Sequence, residues 1–129
     1  MAERSADWME QADRDLKMAH LARAEGFFEW VCFISQQASE KAIKAVYQKE
    51  GAVAWGHSNT DLLRGLEQKH PVPKEILISA RKLDRFYIPS RYPDGFGEGK
   101  PADFFDGGDA DDAISSAGRI IQFCAGLLA

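Results

Sequence analysis

The sequence predicts an all-α protein, an antiparallel up-and-down bundle of four to five helices forming one domain over residues 1–129. Apolar residues recur at steps of three and four along most of the chain, the period of a helix with one buried face. No segment alternates with the period of two that a half-buried strand requires. Breaks between the periodic runs carry turn residues: Gly26, Gly51, the string His70-Pro71-Val72-Pro73, and a cluster of prolines and glycines from Pro89 to Pro101.

The first helix is expected from about Ser5 to Glu25, where Trp8, Ala12, Leu16, Ala19 and Ala22 share a face and the acids lie early, as the helix dipole favours. Gly26 ends it or permits a tight turn. The second helix, Phe27 to Glu50, carries the stripe Phe27, Val31, Ile34, Ala38, Ala42 and Ala45, widened by Trp30 and Phe33. A helix apolar over more than one face belongs in the middle of a bundle, and the alanines of its later half admit a close neighbour. Glu40 and Lys44 are expected to pair at i,i+4 on its exposed side. Gly51 stops it.

A third helix begins in "HSNTDLLRGL", where Ser58 and Asp61 have the spacing of a capping box. The prolines at 71 and 73 end it. Residues 74–86 form a fourth, with Ile76, Leu77, Ala80, Leu83 and Phe86 inward. A fifth is opened by Asp109, Asp111 and Asp112 and buried through Ile114, Ala117, Ile120, Ile121, Cys124, Leu127 and Leu128.

Composition is ordinary for a globular chain, with 45% hydrophobic and 28% charged residues. No apolar run approaches the roughly 20 residues of a membrane span. The N-terminal stretch is charged from its third residue and has no signal-like apolar core, so a cytoplasmic location is expected. Cys32 and Cys124 each sit in an apolar stripe, and two reduced core thiols are preferred over an interhelical disulfide. The net charge is −4, and the acidic surplus lies entirely beyond residue 85. That distribution argues against general attraction to duplex DNA; a nucleotide or nucleic acid would need a local site.

The three histidines fall on different elements without metal-ligand spacing, so no metal is expected, and no cofactor is implied. Two Arg-x5-His strings, Arg14/His20 and Arg64/His70, read as solvated helix-surface residues. "DGFGEGKP" lacks the strand and the Ser or Thr of a phosphate loop. The loop "YIPSRYPDGFGEGKP" (residues 87–101) cannot be helical, yet it carries Tyr87, Arg91, Tyr92 and Asp94. Arg81, Lys82 and Arg85 precede it. Guanidinium forks beside aromatic faces are the parts of a nucleotide site. Equally, the tyrosines could pin the loop while Arg91 pairs with Asp84 or Asp94.

The succession "WVCFISQQASEKAIKAVYQKEG", "WGHSNTDLL", "LDRFYIPSRYPDG" and "AISSAGRIIQFC" resembles the HEPN family, the nucleotide-binding domain of higher eukaryotes and prokaryotes, in its Arg-Tyr-Pro-Asp branch. The resemblance covers nearly the whole chain. It implies a dimerising helical bundle that acts with a small nucleotidyltransferase-like partner, as in toxin–antitoxin pairs. With the wide stripe around Trp30 and Phe33, it leads us to expect a two-fold homodimer. It also favours a nucleotide- or RNA-binding site including Arg85, Tyr87, Arg91, Tyr92 and Asp94, with His57 and Lys41 added. Here Arg91 grips phosphate, a tyrosine stacks or hydrogen-bonds, and Asp94 orients Arg91. Family ribonucleases carry Arg-x(4–6)-His late in the chain. Arg91 falls about where that arginine would be, but no histidine follows it, so no ribonuclease activity is expected. A metal-independent endoribonuclease using His57 and a pure protein-interaction module are the alternatives.

Overall fold

Each periodic run becomes a helix in a computed structural model that describes residues 3–129: α1 (Ser5–Ala24), α2 (Phe28–Lys49), α3 (Asn59–Leu66), α4 (Lys74–Asp84) and α5 (Gly107–Leu128). Two short 3-10 turns, Pro93–Gly95 and Pro101–Asp103, interrupt the connection from α4 to α5. There is no strand among the described residues. None of their helices is long and apolar enough to cross a membrane.

The two glycine stops work in the same way. Gly26 (φ 82°) and Gly51 (φ 67°) take the left-handed conformation that only glycine adopts without strain. The Gly26 amide then reaches the Arg23 carbonyl and the Phe27 amide that of Ala22; the Gly51 and Ala52 amides reach Gln48 and Tyr47. These are Schellman ends. The first one folds α1 back along α2.

Helix α2 packs against all four other helices. Its Val31, Cys32, Ala38, Ala42, Ile43, Ala45 and Val46 are buried, as are Leu63, Leu83 and Ile120 of the helices around it. Cys32 and Cys124 are free and buried, and burial pushes both thiols up to about 12.

Several boundaries and faces differ from expectation. Helix α4 stops at Asp84, and Phe86 packs from the following turn, edge-on to Phe105 at 5.7 Å. Helix α5 begins two residues before Asp109, because Asp106 caps it: Asp106 Oδ1 accepts from the Asp109 amide (2.9 Å) and Asp109 returns the bond (3.0 Å). At α3 only half of a capping box forms, Ser58 Oγ accepting from the Asp61 amide. The largest correction concerns Glu40 and Lys44. They do pair, at 3.1 Å, but Glu40 is only 5% exposed, because the 56–59 turn folds over this face of α2.

The loop after α4 is tied down by its own side chains. Ser90 is buried and its hydroxyl donates to the Phe86 carbonyl. Phe96 and Phe104 stack with ring centroids 4.1 Å apart and planes 1° from parallel.

Position 65 makes a test of packing. The Tyr47 hydroxyl donates to the Leu62 carbonyl at 2.6 Å, and a Cβ on Gly65 would lie 2.2 Å from that oxygen. Alanine normally stabilises a helix interior by about 1 kcal/mol over glycine. Here we expect Gly65→Ala to destabilise by about 1–3 kcal/mol through overpacking. Urea midpoints read the change, and in a Tyr47→Phe background the penalty should disappear. Equal effects in both backgrounds would refute the steric cause.

Candidate nucleotide-binding site

Helix α2 brings Phe33, Gln36, Gln37, Glu40 and Lys44 to one side, where the 56–59 turn and the chain after α4 meet it. Buried amides fix that turn. Gln36 Nε2 donates to the His57 carbonyl (2.9 Å), and Asn59 Nδ2 donates to the Gln36 carbonyl (3.2 Å). Both residues are fully buried. From α4, Asp84 accepts from the Asn59 amide (2.8 Å), the Thr60 amide (3.0 Å) and Ser58 Oγ (3.1 Å). A carboxylate at the end of its own helix has the wrong sign for that dipole but the right sign for the first turn of α3.

Held in this way, the His57 side chain stays 58% exposed while its Nδ1 lies 3.1 and 3.2 Å from the Glu40 oxygens. A carboxylate there can accept an Nδ1–H bond, which corresponds to the tautomer with the lone pair on Nε2. The imidazole stacks on Tyr87 (centroids 5.3 Å, planes 16° apart). Tyr87 in turn supports Arg91. The Arg91 guanidinium carbon lies 4.5 Å from the ring centres of Tyr87 and Phe33 and 5.0 Å from that of Tyr92. Its Nε donates to the Tyr87 carbonyl at 2.9 Å.

Arg91 pairs with no carboxylate among the described residues. Three ring faces surround its charge instead, and their quadrupoles attract a cation without neutralising it. The guanidinium nitrogens other than Nε have no hydrogen-bond partner among the described residues. An oriented, unneutralised fork beside stacking rings can accept a phosphate and a base.

The structure therefore brings Arg91, Tyr87, Tyr92 and His57 together. Asp94 does not orient Arg91; it is exposed in the first 3-10 turn, and the Tyr87 carbonyl supplies the orienting bond. Pairing of Arg91 with Asp84 is likewise absent, because Asp84 holds α3. Arg85 turns into a groove with Thr60, Ile78, Arg81 and Lys82. Lys41 pairs with Asp15 of α1. Neither joins the Arg91 cluster through an ion pair or hydrogen bond among the described residues. His70 bonds to Glu50, and His20 is exposed on α1. Two participants escaped the sequence reading, Phe33 and Glu40. A signal existed for them: paired glutamines and a glutamate inside a helix apolar over more than one face imply something polar folded over it.

The sequence profile of the HEPN domain matches residues 5–127. Among solved structures, TT1696 from Thermus thermophilus is 38% identical with a TM-score of 0.95, over 98% of this chain and 99% of that one. An archaeal HEPN homologue, ST0689, is 42% identical with a TM-score of 0.82, over 97% and 98%. An HEPN domain protein of Thermotoga maritima is 38% identical with a TM-score of 0.79, over 95% and 97%. No match is found among curated proteins. With the profile spanning all five helices and the turns that build the site, the chain belongs to the HEPN domain family.

Proposed function

We propose that the protein binds a nucleotide or a short single-stranded RNA segment on the Arg91–Tyr87–His57 surface. The observation that carries this reading is the Arg91 fork, oriented by a backbone carbonyl, flanked by three rings and opposed by no carboxylate among the described residues. Calorimetric titration with AMP and with a 12-residue oligouridylate tests it. Heat of binding for at least one is expected; silence from both at millimolar AMP and at ten times the protein concentration of oligomer overturns it.

The protein acts as a homodimer in this reading. Met18, Leu21, Phe27 and Trp30 are each about half exposed or more and line one apolar groove between α1 and α2. Trp30 meets Phe33 edge-on at 6.1 Å, so the apolar face runs into the site. Light scattering should give twice the 14.4 kDa chain mass; a monomer at micromolar concentration contradicts the proposal. The nucleotidyltransferase-like partner rests on the family resemblance alone.

A second reading, metal-independent RNA cleavage, is favoured by one observation: the Glu40–His57 pair stands in the same aromatic stack as Arg91. His57 Nε2 would take the 2′-hydroxyl proton as that oxygen attacks the phosphorus of the phosphate held by Arg91. The P–O5′ bond breaks, a 2′,3′-cyclic phosphate forms and the released 5′-oxygen takes a proton from water. Cleavage of oligouridylate in chelator that disappears in His57→Ala supports this reading, and intact RNA leaves binding alone.

A further inference from the structure

We infer that the groove holding Arg81, Lys82 and Arg85 is a second phosphate contact for the same ligand, which makes that ligand a single-stranded polynucleotide rather than a mononucleotide. The inference rests on the nucleotide reading of the Arg91 site. Ile78, Arg81 and Lys82 of α4 and Arg85 at its C-cap stand at i, i+3, i+4 and i+7, one continuous stripe. With Thr60 and Asp84 they line an open groove. None of the three cations forms an ion pair among the described residues. Asp84, the acid lining this groove, has both oxygens occupied by donors from the start of α3. One cation in the last turn would suffice to complement the α4 dipole. Three in one groove of a chain with net charge −4 form a local anion-attracting surface.

The groove and the Arg91 site are built from neighbouring stretches of the chain. Thr60 lies in the groove three residues after His57, and Arg85 two residues before Tyr87. Full chain extension limits these backbone separations to about 11 Å and about 7 Å. A strand with one phosphate on Arg91 reaches the groove within a few nucleotides. Tyr92, 48% exposed beside Arg91, offers a ring face to an unpaired base, which a duplex keeps stacked inside.

The test compares the triple variant Arg81→Ala, Lys82→Ala, Arg85→Ala with the parent protein, using fluorescein-labelled 12-residue oligouridylate for anisotropy and UMP for calorimetry. Circular dichroism confirms folding. We expect roughly tenfold or greater loss of oligomer affinity and a salt slope shallower by about 2, since each single-strand phosphate contact contributes about 0.7. UMP affinity should not change. Unchanged oligomer affinity and slope overturn the second contact, as does equal weakening of UMP. Preferential binding of the matching duplex, or binding of phosphatidylserine vesicles in place of the oligomer, also overturns it. Arg91→Ala separates the two claims. If it weakens neither UMP nor the oligomer, the Arg91 site itself is wrong; if it weakens both while the triple variant changes nothing, only the groove is.

Discussion

Replacing Asp84 with alanine should destabilise the protein by about 2–3 kcal/mol, the value of a charged hydrogen-bonding group that also caps a helix. Three donors lose their acceptor at once: the Asn59 and Thr60 amides and the Ser58 hydroxyl. Asn59 is fully buried, so water cannot replace the carboxylate there without opening the turn. Asp84→Asn keeps one acceptor oxygen and should cost less. The loss is expected to spread to the site, because this turn carries His57. Urea denaturation measures the stability, and the His57 ring resonances measure the displacement. A variant with the parent midpoint and unmoved resonances would show that Gln36 holds the turn alone.

Arg91→Lys is expected to weaken nucleotide or RNA binding nearly as much as Arg91→Ala, by about 1.5–3 kcal/mol in each case, the range for a charge-assisted hydrogen-bonding group. Lysine keeps the charge but not the planar fork, and it cannot donate from Nε to the Tyr87 carbonyl while presenting two further nitrogens. Stability should fall less, since an arginine over partly exposed rings contributes about 0.5–1 kcal/mol through its cation–π contacts. Parallel calorimetry and thermal melts separate the two effects. A sharp fall in melting temperature with intact binding would make Arg91 a clamp that fastens the loop to Phe33 and Tyr87.

Most of the fold was legible because the bundle's information is local and periodic. The stripe along α2, the glycines at 26 and 51 and the acids opening α5 each act within a few residues. Boundaries moved where a cap lay outside the periodic pattern, as with Asp106. The site was legible in part. Tyr87, Arg91 and Tyr92 stood out because a spacer does not need them. What joins them to His57 was not legible: Gln36, Asn59 and Asp84 act across 21 to 25 residues, through bonds that no spacing encodes. Lys41 and Arg85 had the right chemistry, but the fold directs one to Asp15 and the other to a different groove. Phe33 read as core or dimer surface because an aromatic residue in an apolar stripe looks the same whether it packs on a leucine or a guanidinium.

The stacked pair Phe96 and Phe104 closes the loop into a small ring, with Gly97, Glu98, Gly99 and Lys100 exposed at its far end. A ring fastened at its neck separates what happens at the tip from what happens at the anchors. Extra residues between Gly97 and Glu98 would enlarge the ring at a closure cost of only about 0.6 kcal/mol per doubling of its length. Arg91 on one side of the neck and the Asp106 cap on the other would keep their positions. The tip is thus a place where this loop can gain or lose chain without re-aiming Arg91.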